Sequence, residues 1–133
     1  MDLRNKVKKH CVVWYDTFCK EIFNIAFRIK FLFPQKYGLN IEEDRDEHIV
    51  VSLTSFPDRM STIHLCLRSL LCQKVKPDKV ILYLSKEQFE GKKIPEKVLK
   101  LEKYGLQIVF CDDLKPHKKY FYAMQEYPND VII

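Results

Sequence analysis

The hydrophobic positions along the chain follow two different rhythms. Over residues 3–33, Val7, Cys11, Trp14, Phe18, Ile22, Ile25 and Ile29 recur at steps of three and four, the repeat of one helix face. A second row, Val12, Tyr15, Cys19, Phe23 and Phe27, widens that face. The pattern predicts one long amphipathic helix, which Pro34 ends. So wide an apolar face needs a cover: the chain's own body, a membrane interface, or a partner helix. The stretch "QKYGLNIEEDRDEH" that follows is polar and acidic and reads as a linker.

From residue 48 the rhythm changes. "HIVVSLT" is an unbroken, β-branched run, the signature of a strand buried on both faces. Ile63, Cys66, Leu67, Leu70 and Leu71 then predict a helix over about 60–73. "VILYLS" (80–85) and "LQIVFC" (106–111) are further strands. Between them Pro95 opens a helix, where its missing N–H costs nothing, and Gly105 closes it. The polar loop "DDLKPHKK" leads into a short helix through about residue 126, and "VII" begins a fourth strand. This divides the chain into a basic amphipathic segment (1–34), an acidic linker (35–47) and an α/β domain (48–133).

The order β-α-β-α-β-α-β predicts a mostly parallel sheet with flanking helices. Such sheets bind ligands outside the carboxyl ends of their strands. Polar residues just after each strand are therefore the candidates. They are Thr54, Ser55, Phe56, Asp58 and Arg59 after the first, and Ser85, Lys86 and Glu87 after the second. After the third come Asp112, Asp113, His117, Lys118 and Lys119. A parallel sheet puts all three groups on one rim. Arg and Lys there suit phosphates, and Asp suits a ribose or a base edge, so the set fits a phosphorylated, hydroxyl-rich ligand. Taken singly, each has a plainer reading: Asp58 as a turn former, the Asp pair as loop caps, the Lys pair as solvated charge.

Charge sharpens the division. The net charge is +5. Residues 1–36 carry eight Lys/Arg against three acids, and the remainder carries fifteen of each sign, so the whole imbalance belongs to the N-terminal segment. A neutral body argues against nucleic acid as a partner, and a basic, aromatic arm suggests a surface contact made by the arm. The acidic run Glu42, Glu43, Asp44, Asp46 and Glu47 reads as solvated charge. Apolar residues make up 47% of the chain, too many for a disordered one.

Several chemistries are argued against by missing motifs. The chain has no G-x-G-x-x-G after the first strand, no G-x-x-x-x-G-K-[ST] and no G-x-S-x-G. Its five cysteines (Cys11, Cys19, Cys66, Cys72, Cys111) include no C-x-x-C, and its histidines (His10, His48, His64, His117) are scattered, which disfavours a zinc site or a disulfide framework. Charges interrupt the first thirty residues, so neither a secretory signal nor a simple membrane-spanning helix is expected there.

The runs "HIVVSLTSFPDRMSTIHLCLRSLLCQKVKPDKVILYLSKEQF" and "LQIVFCDDLKPHKKYFYAMQEYPNDVII" resemble the donor-binding first half of bacterial family-2-like glycosyltransferases. The resemblance covers about residues 48–133. It implies a Rossmann-like fold and a nucleoside-diphosphate sugar as donor, with a glycan or lipid-linked acceptor in the intact enzyme. It implies that Thr54, Ser55 and Phe56 face the base and ribose, and that Arg59 lies near the base or diphosphate. Asp112 or Asp113 would contact the base, and Lys119 or Lys118 the donor phosphates. The family's acidic second-strand end is replaced here by "LYLSKEQF".

In the family, the strand beginning "DVII" runs into an Asp-rich motif holding a divalent cation, manganese or magnesium, that stabilises the leaving diphosphate. The chain stops at Ile133, so the expectation is a donor-binding portion that holds no cation and transfers no sugar alone. The location expected is cytoplasmic, at the inner face of a membrane reached through residues 1–34. The competing expectation is a non-catalytic α/β module that docks on a membrane or partner.

Overall fold

The computed structural model describes Glu21, Ile22, Ile25, Ala26, Ile29, residues 36–41 and residues 45–133. The helix expected over 3–33 lies outside the described residues except at those first five positions, which are helical and exposed. The chain divides into two compact units, Met1–Gln35 and Lys36–Ile133. No helix among the described residues is long and apolar enough to cross a membrane.

The second unit is an α/β fold. Four strands, β1 (Ile49–Thr54), β2 (Lys79–Ser85), β3 (Leu106–Cys111) and β4 (Val131–Ile132), form one sheet in the order β3-β2-β1-β4. Every pairing is parallel. Leu53 aligns with Leu82, and Leu82 with Ile108. The helices are α1 (Ile63–Leu71), α2 (Lys86–Phe89), α3 (Glu96–Leu99) and α4 (Lys118–Glu126).

Side-chain alternation along the strands builds two cores. Val51, Leu53, Val80, Leu82, Leu84, Leu106 and Ile108 join Leu67 and Leu71 of α1, Phe89 of α2 and Val98 of α3. Val50, Ile81, Tyr83, Val109 and Cys111 join Tyr122 and Ala123 of α4. One face of the sheet is thus covered by α1 to α3 and the other by α4. The central strand is sealed: Val80 through Ser85 are all buried. This is why its sequence reads as a continuous apolar run instead of an alternating one.

Three local features differ from the sequence expectation. The helix expected from about residue 60 begins at Ile63, after a 3-10 turn over Pro57–Arg59. The segment opened by Pro95 is one α-turn followed by a 3-10 turn, Glu102–Tyr104, and Gly105 ends it with φ 99°. The unexpected α2 starts directly at the end of β2, where the Ser85 hydroxyl accepts the Gln88 N–H at 3.3 Å.

Residues 36–41, read as linker, lie along the body. Gly38 N–H donates to the Leu71 carbonyl at 3.1 Å, and Asn40 N–H to that of Pro77 at 2.8 Å. Tyr37 and Leu39 pack on the first core. The Asp78 carboxylate accepts the Asn40 side chain and the Ile49 N–H, each at 2.7 Å, and so ties this segment to the start of β1. Burial alone would raise the Asp78 carboxyl, but those two donors, with Arg45 and His48 nearby, hold it below the usual carboxylate range.

Gly105 is required twice over. Its left-handed φ disfavours a side chain, and a Cβ there would stand 2.6 Å from Leu39 Cγ and Cδ1. Gly105→Ala is therefore expected to destabilise the domain by about 1–3 kcal/mol, read as a lower urea midpoint with an unchanged slope. An unchanged midpoint would show that Leu39 does not pack there.

Candidate functional site

Because every strand runs the same way, the segments after β1, β2 and β3 emerge on one rim. There they enclose a cleft of about 620 Å³. Its walls are Thr54–Arg59 after β1, Gln88 and Lys92 from α2 and the residues following it, and Lys115, Pro116 and Lys118 at the entry to α4. Four of these residues are cations (Arg59, Lys92, Lys115, Lys118) and one is a carboxylate (Asp58), so the cleft attracts anions.

Two groups in it are buried although polar. Lys118 is 3% exposed, and its ammonium donates to Asp113 Oδ1 at 2.8 Å. An ammonium has three protons, and this bond uses one. Ser55 is 4% exposed, and its hydroxyl has no hydrogen-bond partner among the described residues. An unmade bond of this kind costs about 1–3 kcal/mol, a cost that a ligand's polar atom would remove.

The other β1 residues are placed differently. The Thr54 hydroxyl lines the cleft but donates to the Tyr83 carbonyl at 3.0 Å, so it buttresses β2. Phe56 is exposed at the cleft wall, and the Arg59 guanidinium lies 5.1 Å from its ring centroid. That contact leaves a flat, cationic surface suited to a planar or anionic group.

Asp112 and Asp113 part company. Asp113 stays beside the cleft, accepting Lys118, the Lys115 N–H at 2.9 Å and the Gln88 side chain at 2.7 Å. Those donors, Lys118 first, hold its carboxyl down at about 2. Asp112 instead lines a second hollow of about 400 Å³ with Tyr83, Tyr122 and Glu126. Its carboxylate meets the exposed Lys86 at 3.5 Å. In that hollow, burial first and Glu126 second push the Tyr83 hydroxyl up to about 12.

Lys119 does not line the cleft; its carbonyl accepts the Ser52 hydroxyl and so pins α4 to β1. Of the expected set, the structure thus gathers Thr54, Ser55, Phe56, Asp58, Arg59 and Lys118 around one cleft. It adds Gln88, Lys92 and Lys115, which the sequence reading did not single out. Gln88 had a signal: Ser85-x-x-Gln88 has the spacing of a capping box, and the Ser85 half of that box is formed.

No protein-family model matches the chain, and comparison with curated proteins and with solved structures likewise gives no match.

The unpaired Ser55 hydroxyl carries a direct consequence. Ser55→Ala is expected to leave the free protein as stable or about 1 kcal/mol more stable by thermal unfolding, while weakening whatever fills the cleft. A loss of more than about 1 kcal/mol would mean that the hydroxyl has a partner in the free chain.

Proposed function

We propose that the chain is the donor-binding portion of a nucleotide-sugar-dependent glycosyltransferase, and that the rim cleft takes the diphosphate of a nucleoside-diphosphate sugar. One observation carries the reading. A cationic cleft at the carboxyl rim of a parallel sheet contains a buried ammonium and a buried, unpaired hydroxyl. Phosphate oxygens are acceptors only, and both groups can donate to them. The resemblance of residues 48–133 to the family supports the same ligand.

In this reading Lys118 and Lys115 take the phosphates, and Ser55 donates to a phosphate or ribose oxygen. The Phe56–Arg59 pair offers a face to the base. These residues bind and orient the donor, in line with the general rule that positioned cations stabilise a departing phosphate.

A manganese or magnesium ion in the intact enzyme would neutralise the leaving diphosphate. The described residues do not fit it: no group of three or more His, Cys, Asp or Glu side chains stands together. Asp58 is the single carboxylate lining the cleft, and Asp113 is taken up by its three donors. No step is assigned to a cation on this chain.

A membrane-surface contact through residues 1–34 is the second part of the proposal. Ile22, Ile25 and Ile29 are helical, spaced by three and four, and about half exposed at 49%, 54% and 49%. They belong to the segment that carries the net positive charge. Apolar residues on a helix face within a basic segment suit an anionic interface. A nucleotide donor and this contact together point to the cytoplasmic face of a membrane, with a glycan or lipid-linked acceptor.

Uridine and guanosine diphosphates are the first probes. One of them at 100-fold above its Kd is expected to add about 2.7 kcal/mol to thermal stability. Lys118→Met and Arg59→Ala should each weaken binding by about tenfold. If neither nucleotide shifts the unfolding curve, the cleft is a scaffold feature and the non-catalytic module becomes the better account.

Vesicle co-sedimentation tests the arm. Binding to phosphatidylserine vesicles should fall at least fivefold when Ile22, Ile25 and Ile29 are all changed to Asp, because each removes apolar area and adds a negative charge. Undiminished binding would assign any membrane affinity to the body.

A further inference from the structure

Asp113 stands at a junction of three segments. It follows β3, it reaches Gln88 of α2 through one carboxylate oxygen, and it holds Lys115 and Lys118 through the other. The bond to the Lys115 N–H spans two residues, the geometry of an Asx turn. Lys115 has φ 54°, a left-handed conformation that a β-carbon disfavours, and its N–H is where Asp113 grips. Pro116 follows and stiffens the turn.

The buried lysine is the other half of the argument. An ammonium 3% exposed needs a charged partner to remain ionised in a protein interior. Among the described residues, Asp113 is the carboxylate paired with it, at 2.8 Å. The side chain of Lys118 lines the cleft, so the direction of its remaining two protons is set by where Asp113 holds the first. An acceptor already engaged by three donors at 2.7–2.9 Å is badly placed to read a ligand's base edge.

We propose that Asp113 is a positioning residue and not a ligand contact: its carboxylate clamps the Lys118 ammonium and the Lys115–Pro116 turn, and thereby fixes where the cleft presents positive charge. The clamp belongs to the free protein. Only its consequence for ligand binding rests on the nucleotide-sugar reading above.

Two readouts separate the clamp from a general structural role and from the ligand. The first is the ammonium region of the 1H–15N spectrum of lysine-labelled protein. The wild type should show a slowly exchanging ammonium signal that is lost in Lys118→Arg, which assigns it to Lys118, and that is absent from Asp113→Asn. A Lys118 ammonium that exchanges in the wild type as fast as surface lysines overturns the clamp, whatever the variants do.

The second readout is uridine diphosphate affinity in a double-mutant cycle. Asp113→Asn should weaken binding by about tenfold alone, and add less than about twofold in a Lys118→Met background. Losses that multiply would overturn the positioning role and give Asp113 its own contact with the ligand. A protected ammonium in a protein that binds no nucleotide would leave the clamp standing and refute the cleft's proposed ligand.

Discussion

A parallel sheet must be covered on both faces, and the rest of this fold follows from that requirement. β2 lies inside the sheet, with every residue from Val80 to Ser85 buried. Its even and odd side chains supply different cores: Val80, Leu82 and Leu84 on one face, Ile81 and Tyr83 on the other. Successive strands β1, β2 and β3 step outward with α1 to α3 on one face. The chain then returns past β1 to form β4, and α4 covers the opposite face on the way.

The same parallel arrangement decides where polar chemistry collects. Each strand delivers its carboxyl end to one rim, so segments far apart in sequence share a wall. Ser55, Gln88 and Lys118 line a single cleft though each lies thirty or more positions from the next. The four buried polar residues of the described chain show how tightly this rim is organised. Ser52 is bonded to the Lys119 carbonyl, Ser85 to the Gln88 N–H, and Lys118 to Asp113. The fourth, Ser55, is the one without a partner, and it faces the cleft. A fold that satisfies its buried polar groups elsewhere and leaves one unpaired in a cationic cleft departs from local consistency where a ligand would restore it.

Electrostatics refine that picture. Lys118 carries its charge into the cleft in a compensated form, because Asp113 is ionised down to about 2. The uncompensated positive charge of the cleft comes from Arg59, Lys92 and Lys115, which are exposed and therefore screened by salt. The division suits a site in which exposed cations attract an anion and a buried, fixed ammonium orients it. The loop after β3 is tied down by side-chain bonds, with its left-handed Lys115 held by Asp113.

The sequence by itself determined the element order, the parallel sheet and the rim. These rest on local periodicity and on connection lengths, which need no knowledge of distant partners. β1, β2 and β3 lie within a residue of where their apolar runs place them. What the periodicity did not reveal is short or non-local. The one-turn α2 has too few residues for a repeat, and it brought Gln88 to the cleft. Residues 36–41 read as linker because their contacts, to Leu71, Pro77 and Asp78, lie thirty or more residues away.

Above all, Asp112 and Asp113, like Lys118 and Lys119, are chemically identical neighbours in a polar loop. Nothing in composition or spacing ranks one above the other. Successive residues leaving a strand or entering a helix point in different directions, so the register of β3 and the seating of α4 decided the matter. Asp113 and Lys118 were turned together at the cleft, and Asp112 and Lys119 were turned away from it.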